Sequence, residues 1–306
     1  MKRKQSNILV TGGCGFIGSF LVNSLIKLGY KVIVIDDLSS ERKPFINNEV
    51  KFYKVDIYKS NLLEDVFKKE KIDTIIHLAA KHYMPYCQAH KKETIETNVI
   101  GTLNILVLMK KYGIKRLIFS SSASVYYPSN KPHKETDKVG SLDIYGASKI
   151  LGEKIIGTLS PIFGIDYTAL RLFNVYGPND TTSHLIPEII KQMKADKEVK
   201  LGNLKSRRDY IWVEDVVRAI VISLTKTNCK NQIFNVGTGK AWSVEQVFGI
   251  LNNISGKRFE LKSVKLRQRI LDSSIIRADI KKINELTKWR PRVALRTGLC
   301  YCYIDH

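Results

Sequence analysis

The chain has 306 residues, 44% of them hydrophobic, enough for a large core in one α/β domain with a smaller lobe. Its longest apolar runs, ILV, IVI and ILVLM, fall far short of a membrane span, so no membrane partner is expected. The net charge of +21 comes from lysines scattered along the chain without any RNA- or DNA-binding motif, so it reads as a solvated surface that steers anionic ligands, with no specific nucleic-acid partner.

The basic opening MKRKQSN runs into a short strand and glycines rather than a signal-peptide core. β-branched runs then alternate with amphipathic stretches. Strands are expected at 7–11, 31–35, 51–55, 74–78, 115–119 and 167–173, and helices near 16–28, 60–70, 91–112 and 145–159. This is the rhythm of a Rossmann-type, doubly wound parallel sheet. Residues 1–173 form the expected dinucleotide-binding domain. Residues 174–306 form a smaller, interleaved substrate lobe, with a return to the main sheet at about 210–236 (YIWVEDVVRAIVISL, then QIFNV).

After the first strand, TGGCGFIG places Gly12, Gly15 and Gly18 in a G-x-x-G-x-x-G pattern that opens the first helix. Missing side chains there let backbone N–H groups and the helix N-terminus approach a diphosphate. Asp36 closes the second strand 18 residues beyond Gly18, where a carboxylate accepts from ribose hydroxyls and repels a 2′-phosphate. NAD is therefore the expected cofactor, with Phe16, Ile17, Asp37 and Asn98 placed beside it. Asp56-Ile57 suits an adenine edge, although a solvated loop aspartate fits nearly as well. Leu78-Ala79-Ala80 leaves room for the cofactor to pass, or simply packs.

The fifth strand ends in hydroxyls, KRLIFSSSASVYYP, and the next helix opens with IYGASKILGEK. Tyr145 and Lys149 are four apart and share a helix face. A phenol near pKa 10 is a poor base at neutral pH. A neighbouring ammonium and a positive nicotinamide ring would both favour its phenolate. Taken alone, the Tyr–Lys pair also fits ordinary helix surface.

Together, TGGCGFIGS, DDLSS, HLAA, SSSASVYY, YGASK, RLFNVYGP, RRDYIWVEDV, FNVGTG and ADIKKINELTKWRP resemble the extended short-chain dehydrogenase/reductase family, in its NAD-dependent sugar epimerase/dehydratase branch. The resemblance spans nearly the whole chain. It implies that Ser122 holds the C4 oxygen of a sugar while Tyr145, supported by Lys149, moves that oxygen's proton. Ser120 and Ser121 then line the cofactor, and Ser124 contacts substrate or satisfies backbone groups. Dehydratases of the branch carry an Asp-Glu pair where this chain has Ala123-Ser124. The resemblance therefore implies a UDP-hexose 4-epimerase working through a 4-keto intermediate. The alternatives are a 4,6-dehydratase or ketoreductase, or a silent NAD-binding scaffold.

For the nucleotide-sugar, the resemblance assigns Asn174 to the substrate and Arg208 and Arg269 to the diphosphate, with Asp272 on the ribose. His184-Leu185-Ile186-Pro187 brings backbone groups to the base, or is only a helix start. Two departures stand out: Tyr127 where the family has glycine, and RILD where it has R-x-G-D. Ile276 stands at the position that sets room around the C2 substituent, so an N-acetylated hexose is admissible. A homodimer is implied through 91–112 and 145–159. His77, His82 and His90 read as strand, loop and surface residues. The five cysteines (Cys14, Cys87, Cys229, Cys300, Cys302) form an odd set without metal spacing, and a reduced, cytoplasmic compartment with no metal is expected. WSVEQVFGILNNI reads as a packing helix capped by Ser243.

Overall fold

The structure is a computed structural model that describes residues 6–39, 49–264 and 275–305. Its first half alternates as expected: β1 (Asn7–Thr11), α1 (Phe16–Lys27), β2 (Lys31–Asp36), β3 (Lys51–Lys54), α2 (Ser60–Lys69) and β4 (Thr74–His77). The single helix expected over 91–112 is instead broken. α3 (Met84–Ala89) precedes α4 (Lys91–Ile95), and one π-helical turn, Glu96–Ile100, joins α4 to α5 (Gly101–Lys111). The π turn buries Asn98, whose amide is engaged with neighbouring segments. Such bulges concentrate at functional sites.

β5 (Arg116–Ser122) runs through the serines, because their peptides keep pairing with Leu170–Leu172 of β6 (Asp166–Leu172). Between them α6 (Ile144–Phe163) starts at Asp143, whose side chain accepts from Gly146 N at 2.8 Å, and stops at Gly164 in the left-handed region (φ +64°). The later elements are β7 (Asn174–Tyr176), α7 (Leu185–Ala195), β8 (Glu198–Leu201), β9 (Arg207–Trp212), α8 (Val213–Thr225), β10 (Gln232–Val236), β11 (Ala241–Ser243) and α9 (Val244–Ser255). The chain closes with β12 (Glu260–Ser263), β13 (Ile275–Ile276), α10 (Lys281–Thr287) and α11 (Leu295–Asp305). Among the described residues, no helix is long and apolar enough to cross a membrane.

Seven parallel strands make the main sheet in the order β10-β6-β5-β4-β1-β2-β3. Both faces are covered, which is why these strands read as continuous β-branched runs. Leu21 and Leu25 of α1, Val216 and Ile220 of α8, and Trp289 pack on one face. Phe67 of α2, Ile105 and Met109 of α5, and Ile156 of α6 pack on the other. The strand order reverses between β1 and β4, so a crevice opens there at the carboxyl ends of the strands.

The stretch 210–236 divides between two sheets. β9 joins a small sheet with β7, β11 and β13, because Tyr210 and Trp212 face Tyr176 in the core of the smaller lobe. Only α8 and β10 return to the main sheet. The lobe is completed by β8 paired with β12, and by Val247 and Leu251 of α9 packed with Ile189 of α7 and Leu299 of α11.

Candidate active site

The glycine turn lies flat against the exit of β4. Gly12 has φ +72°, and a Cβ there would fall 2.7 Å from Ala79 N. Gly15 occupies the N-cap of α1 with no side chain over the helix end. A Cβ on Gly18 would fall 2.1 Å from Gly12 O, so only glycine lets α1 close on the turn. These bare positions form a cradle at a helix N-terminus, the arrangement that suits a diphosphate.

Asp36 braces the cradle. Its Oδ2 accepts from Cys14 N and its Oδ1 from Leu38 N, both at 2.9 Å. Each oxygen keeps a lone pair for a ribose hydroxyl. Burial raises Asp36 above the ordinary carboxylate range, and the two backbone N–H groups oppose that rise. Asp37 is tied to Ser39 N (3.0 Å), Ser39 Oγ (2.7 Å) and the Lys81 ammonium (3.1 Å), which also reaches Glu93 at 3.2 Å. Asp56 follows β3 and accepts from Tyr58 N at 3.0 Å, while Ile57 is buried beneath Gly101. Asn98 clamps the β4 exit. Its Oδ1 accepts from Lys81 N (2.8 Å), and its Nδ2 donates to Lys81 O and Ser148 Oγ, both at 2.9 Å. Phe16 and Ile17 open α1, and Leu78, Ala79 and Ala80 are half-buried along the β4 exit. A glycine cradle, a free face on Asp36 and small residues beside them fit NAD.

Ser122, Tyr145 and Lys149 meet at the end of β5. The Ser122 hydroxyl hydrogen-bonds the Tyr145 phenol and accepts from Ser124 N at 3.1 Å. Lys149, buried at 3% exposure, donates from Nζ to Ser120 O at 2.8 Å. That ammonium lies 4.9 Å from the Phe119 ring centre and 5.9 Å from that of Tyr145. Burial pushes the Tyr145 phenol up to about 12, and the hydrogen bond from Ser122 works the other way. Burial likewise brings Lys149 down to about 8. Burial thus favours a neutral phenol beside a weakened ammonium. The approach is close: a Cβ on Gly146 would fall 2.3 Å from Ser124 O. Ser120 Oγ donates to His77 O at 3.2 Å, and Ser121 Oγ to Glu153 Oε1 at 2.5 Å. His77 bridges Thr11 Oγ1 (2.7 Å) and Thr102 Oγ1 (3.0 Å), and burial holds it neutral at about 3.

Asn174 begins β7 and is exposed. Arg208 stands in register with Ile276 on β13 and Trp242 on β11. Arg269 and Asp272 lie outside the described residues. Tyr127 rests on Gly140, where a Cβ would fall 2.0 Å from its ring, so one departure from the family pattern is accommodated by a bare backbone.

Two clusters escaped sequence reasoning. Asp209, fully buried, accepts from Thr238 N and Gly239 N at 2.8 Å and from Ala278 N at 3.1 Å, fastening β13 to β9. The Arg-Arg-Asp before an aromatic strand was its only signal. Buried Asp180 accepts the His184 imidazole at 2.9 Å, and His184 lies 5.7 Å from His82 and 6.4 Å from Tyr83, ring centre to ring centre. A spacing of four residues hints at the first contact, and nothing local hints at the second.

Residues 8–237 match the NAD dependent epimerase/dehydratase family. The chain belongs to this family. NAD is accordingly its cofactor. A putative UDP-glucose 4-epimerase of Methanocaldococcus jannaschii is 36% identical over 298 residues, covering 95% of each chain. Among solved structures, the UDP-glucose 4-epimerase of Thermotoga maritima with UDP-glucose is 34% identical, with a TM-score of 0.91 over 98% of each chain. The Thermus thermophilus UDP-glucose 4-epimerase in complex with NAD is 27% identical, with the same TM-score and coverage.

Proposed function

We propose that the chain is an NAD-dependent 4-epimerase of UDP-hexoses. The observation that carries this reading is the meeting of Ser122, Tyr145 and Lys149 beside a glycine cradle, with no acid or base at Ala123 or Ser124. Relatives named as UDP-glucose 4-epimerases support the substrate class.

Bound NAD would supply the acceptor and donor of the C4 hydride. Ser122 Oγ orients the C4 oxygen, and Tyr145 Oη takes that oxygen's proton and later gives it back. Lys149 favours the phenolate by its charge. Ala123 and Ser124 offer no group able to carry a proton from C5, so elimination lacks its base. The 4-keto sugar then turns and presents its other face to the same groups. Arg208 and Arg269 anchor the diphosphate meanwhile, Asp272 the ribose, and Asn174 and Ser124 border the substrate. Gly12, Gly15, Phe16, Ile17 and Gly18 hold the cofactor diphosphate, Asp36 and Asp37 its ribose side, and Asp56 and Ile57 its adenine. Residues 1–173 make the NAD side, completed by α8 and β10. A homodimer forms through the face of 91–112 and 145–159, where Val107 and Leu151 are exposed.

The test is proton NMR of UDP-glucose incubated with the protein in deuterated buffer. The expected result is UDP-galactose without solvent deuterium at C5. Deuterium at C5, or a 4-keto-6-deoxy product, would overturn the reading.

A further inference from the structure

Behind the catalytic groups lies a buried polar network that proton transfer at Tyr145 does not itself use. Glu153 follows Lys149 by four residues on α6, so the two side chains share a face. Its carboxylate accepts the Ser121 hydroxyl at 2.5 Å and a two-pronged contact from Arg171, Nε at 2.9 Å and Nη2 at 2.7 Å. Arg171 Nη1 continues to the Tyr126 hydroxyl (2.8 Å) and Glu135 O (3.1 Å), and Tyr126 donates to Asn235 Oδ1 at 2.7 Å. The Arg171 and Glu153 side chains are only 4% and 8% exposed.

An ion pair this deep is a poor source of stability, because apolar residues of the same volume generally do as well. Its position points elsewhere. Ser121 sits between Ser120, whose carbonyl receives the Lys149 ammonium, and Ser122, whose hydroxyl meets Tyr145. We propose that Glu153 is a positioning residue: clamped by Arg171, it fixes residues 120–122 against α6, and so sets the Ser120 carbonyl on Lys149 and the Ser122 hydroxyl on Tyr145. The inference rests on the catalytic assignment of Ser122, Tyr145 and Lys149 made above.

Among the described residues, the groups facing Lys149 come from several elements. Tyr145 and Glu153 lie on α6, His77 on β4, His82 beyond it, Cys87 on α3, and the Phe119 ring on β5. Desolvation holds His77 neutral at about 3 and raises the Cys87 thiol above its ordinary range, whereas His82 stands exposed. Glu153 is the larger of the two groups that oppose the effect of burial on Lys149, ahead of Cys87.

The test uses Glu153→Gln, which keeps an acceptor for Ser121 and removes the charge. A second variant, Glu153→Gln with Arg171→Met, avoids stranding a buried guanidinium. Two quantities are read: the pH profile of kcat on the sugar nucleotide, and the pH dependence of the melting difference between each protein and its Lys149→Met derivative. In Glu153→Gln both should move toward acid by up to about one pH unit, since a buried opposite charge is lost, and in the double variant, which removes a cation as well, both should move less. KM should stay within about twofold. An even loss of kcat with no movement of the limb, or an unchanged melting difference, would reduce Glu153 to a structural role. If the wild type turns over no sugar nucleotide, the reaction assignment fails while the melting difference still decides the role of Glu153.

Discussion

Replacing Lys149 by Met should abolish turnover and at the same time stabilise the nucleotide-free protein near neutral pH. Lys149 is 3% exposed, and burial lowers it to about 8 from the ordinary 10.5. The folded state therefore releases this proton at lower pH than the unfolded chain does. Below about pH 8 the whole cost of a buried ammonium is present, and stability recovers as pH rises toward the unfolded value. The gap between about 8 and 10.5 corresponds to about 3 kcal/mol at neutral pH. Methionine loses the bond to Ser120 O and leaves that carbonyl unpaired, which takes back about 1–2 kcal/mol. The variant should thus be more stable by about 1–2 kcal/mol near pH 7, and this advantage should shrink by about 2 kcal/mol on going to about pH 9.5. Urea unfolding across that range measures both. A difference that stays flat with pH, or a Lys149→Met protein that still turns over, would refute the reasoning.

Tyr145→Phe removes the one hydroxyl that carries the proton; turnover should fall by about 10³-fold or more while NAD stays bound, checked by kinetics and by nucleotide content after gel filtration. Gly18→Ala forces a methyl to within 2.1 Å of Gly12 O, so NAD binding should be lost and stability should drop by about 1–3 kcal/mol, read by calorimetry and melting. Asp36→Asn keeps the contact to Cys14 or Leu38 but not the charge; NAD affinity should fall by about tenfold and the preference over NADP should narrow, measured by titration with both nucleotides.

The parallel sheet was legible because its signals are local. A β-branched run, a bare glycine turn and an amphipathic helix each declare themselves within a dozen residues, and burial on both faces keeps the strands uninterrupted. The extension of β5 into Ser120–Ser122 was not legible, since it depends on where three hydroxyls go. They go to His77 O, to Glu153 and to Tyr145, groups supplied by β4 and α6. Likewise β9 reads as a buried strand wherever it sits. Its place in the small sheet is set by Tyr176 packing on Tyr210 and Trp212 and by Asp209 binding Thr238, Gly239 and Ala278, contacts 29 to 69 residues away. The break of 91–112 at Asn98 has the same origin, because the clamp on Lys81 forms only once β4 and α6 are in place. The Tyr145 phenol also differs from the simple pairing argument. In the nucleotide-free protein burial, not Lys149, dominates it, so the helix spacing alone does not make a base.

UDP-glucose carrying deuterium at C4 tests the central claim most directly. If one hydride leaves C4 and returns to the opposite face, the UDP-galactose formed should keep its deuterium at C4 in full. Loss of that label to water, or appearance of product without inversion at C4, would contradict the account.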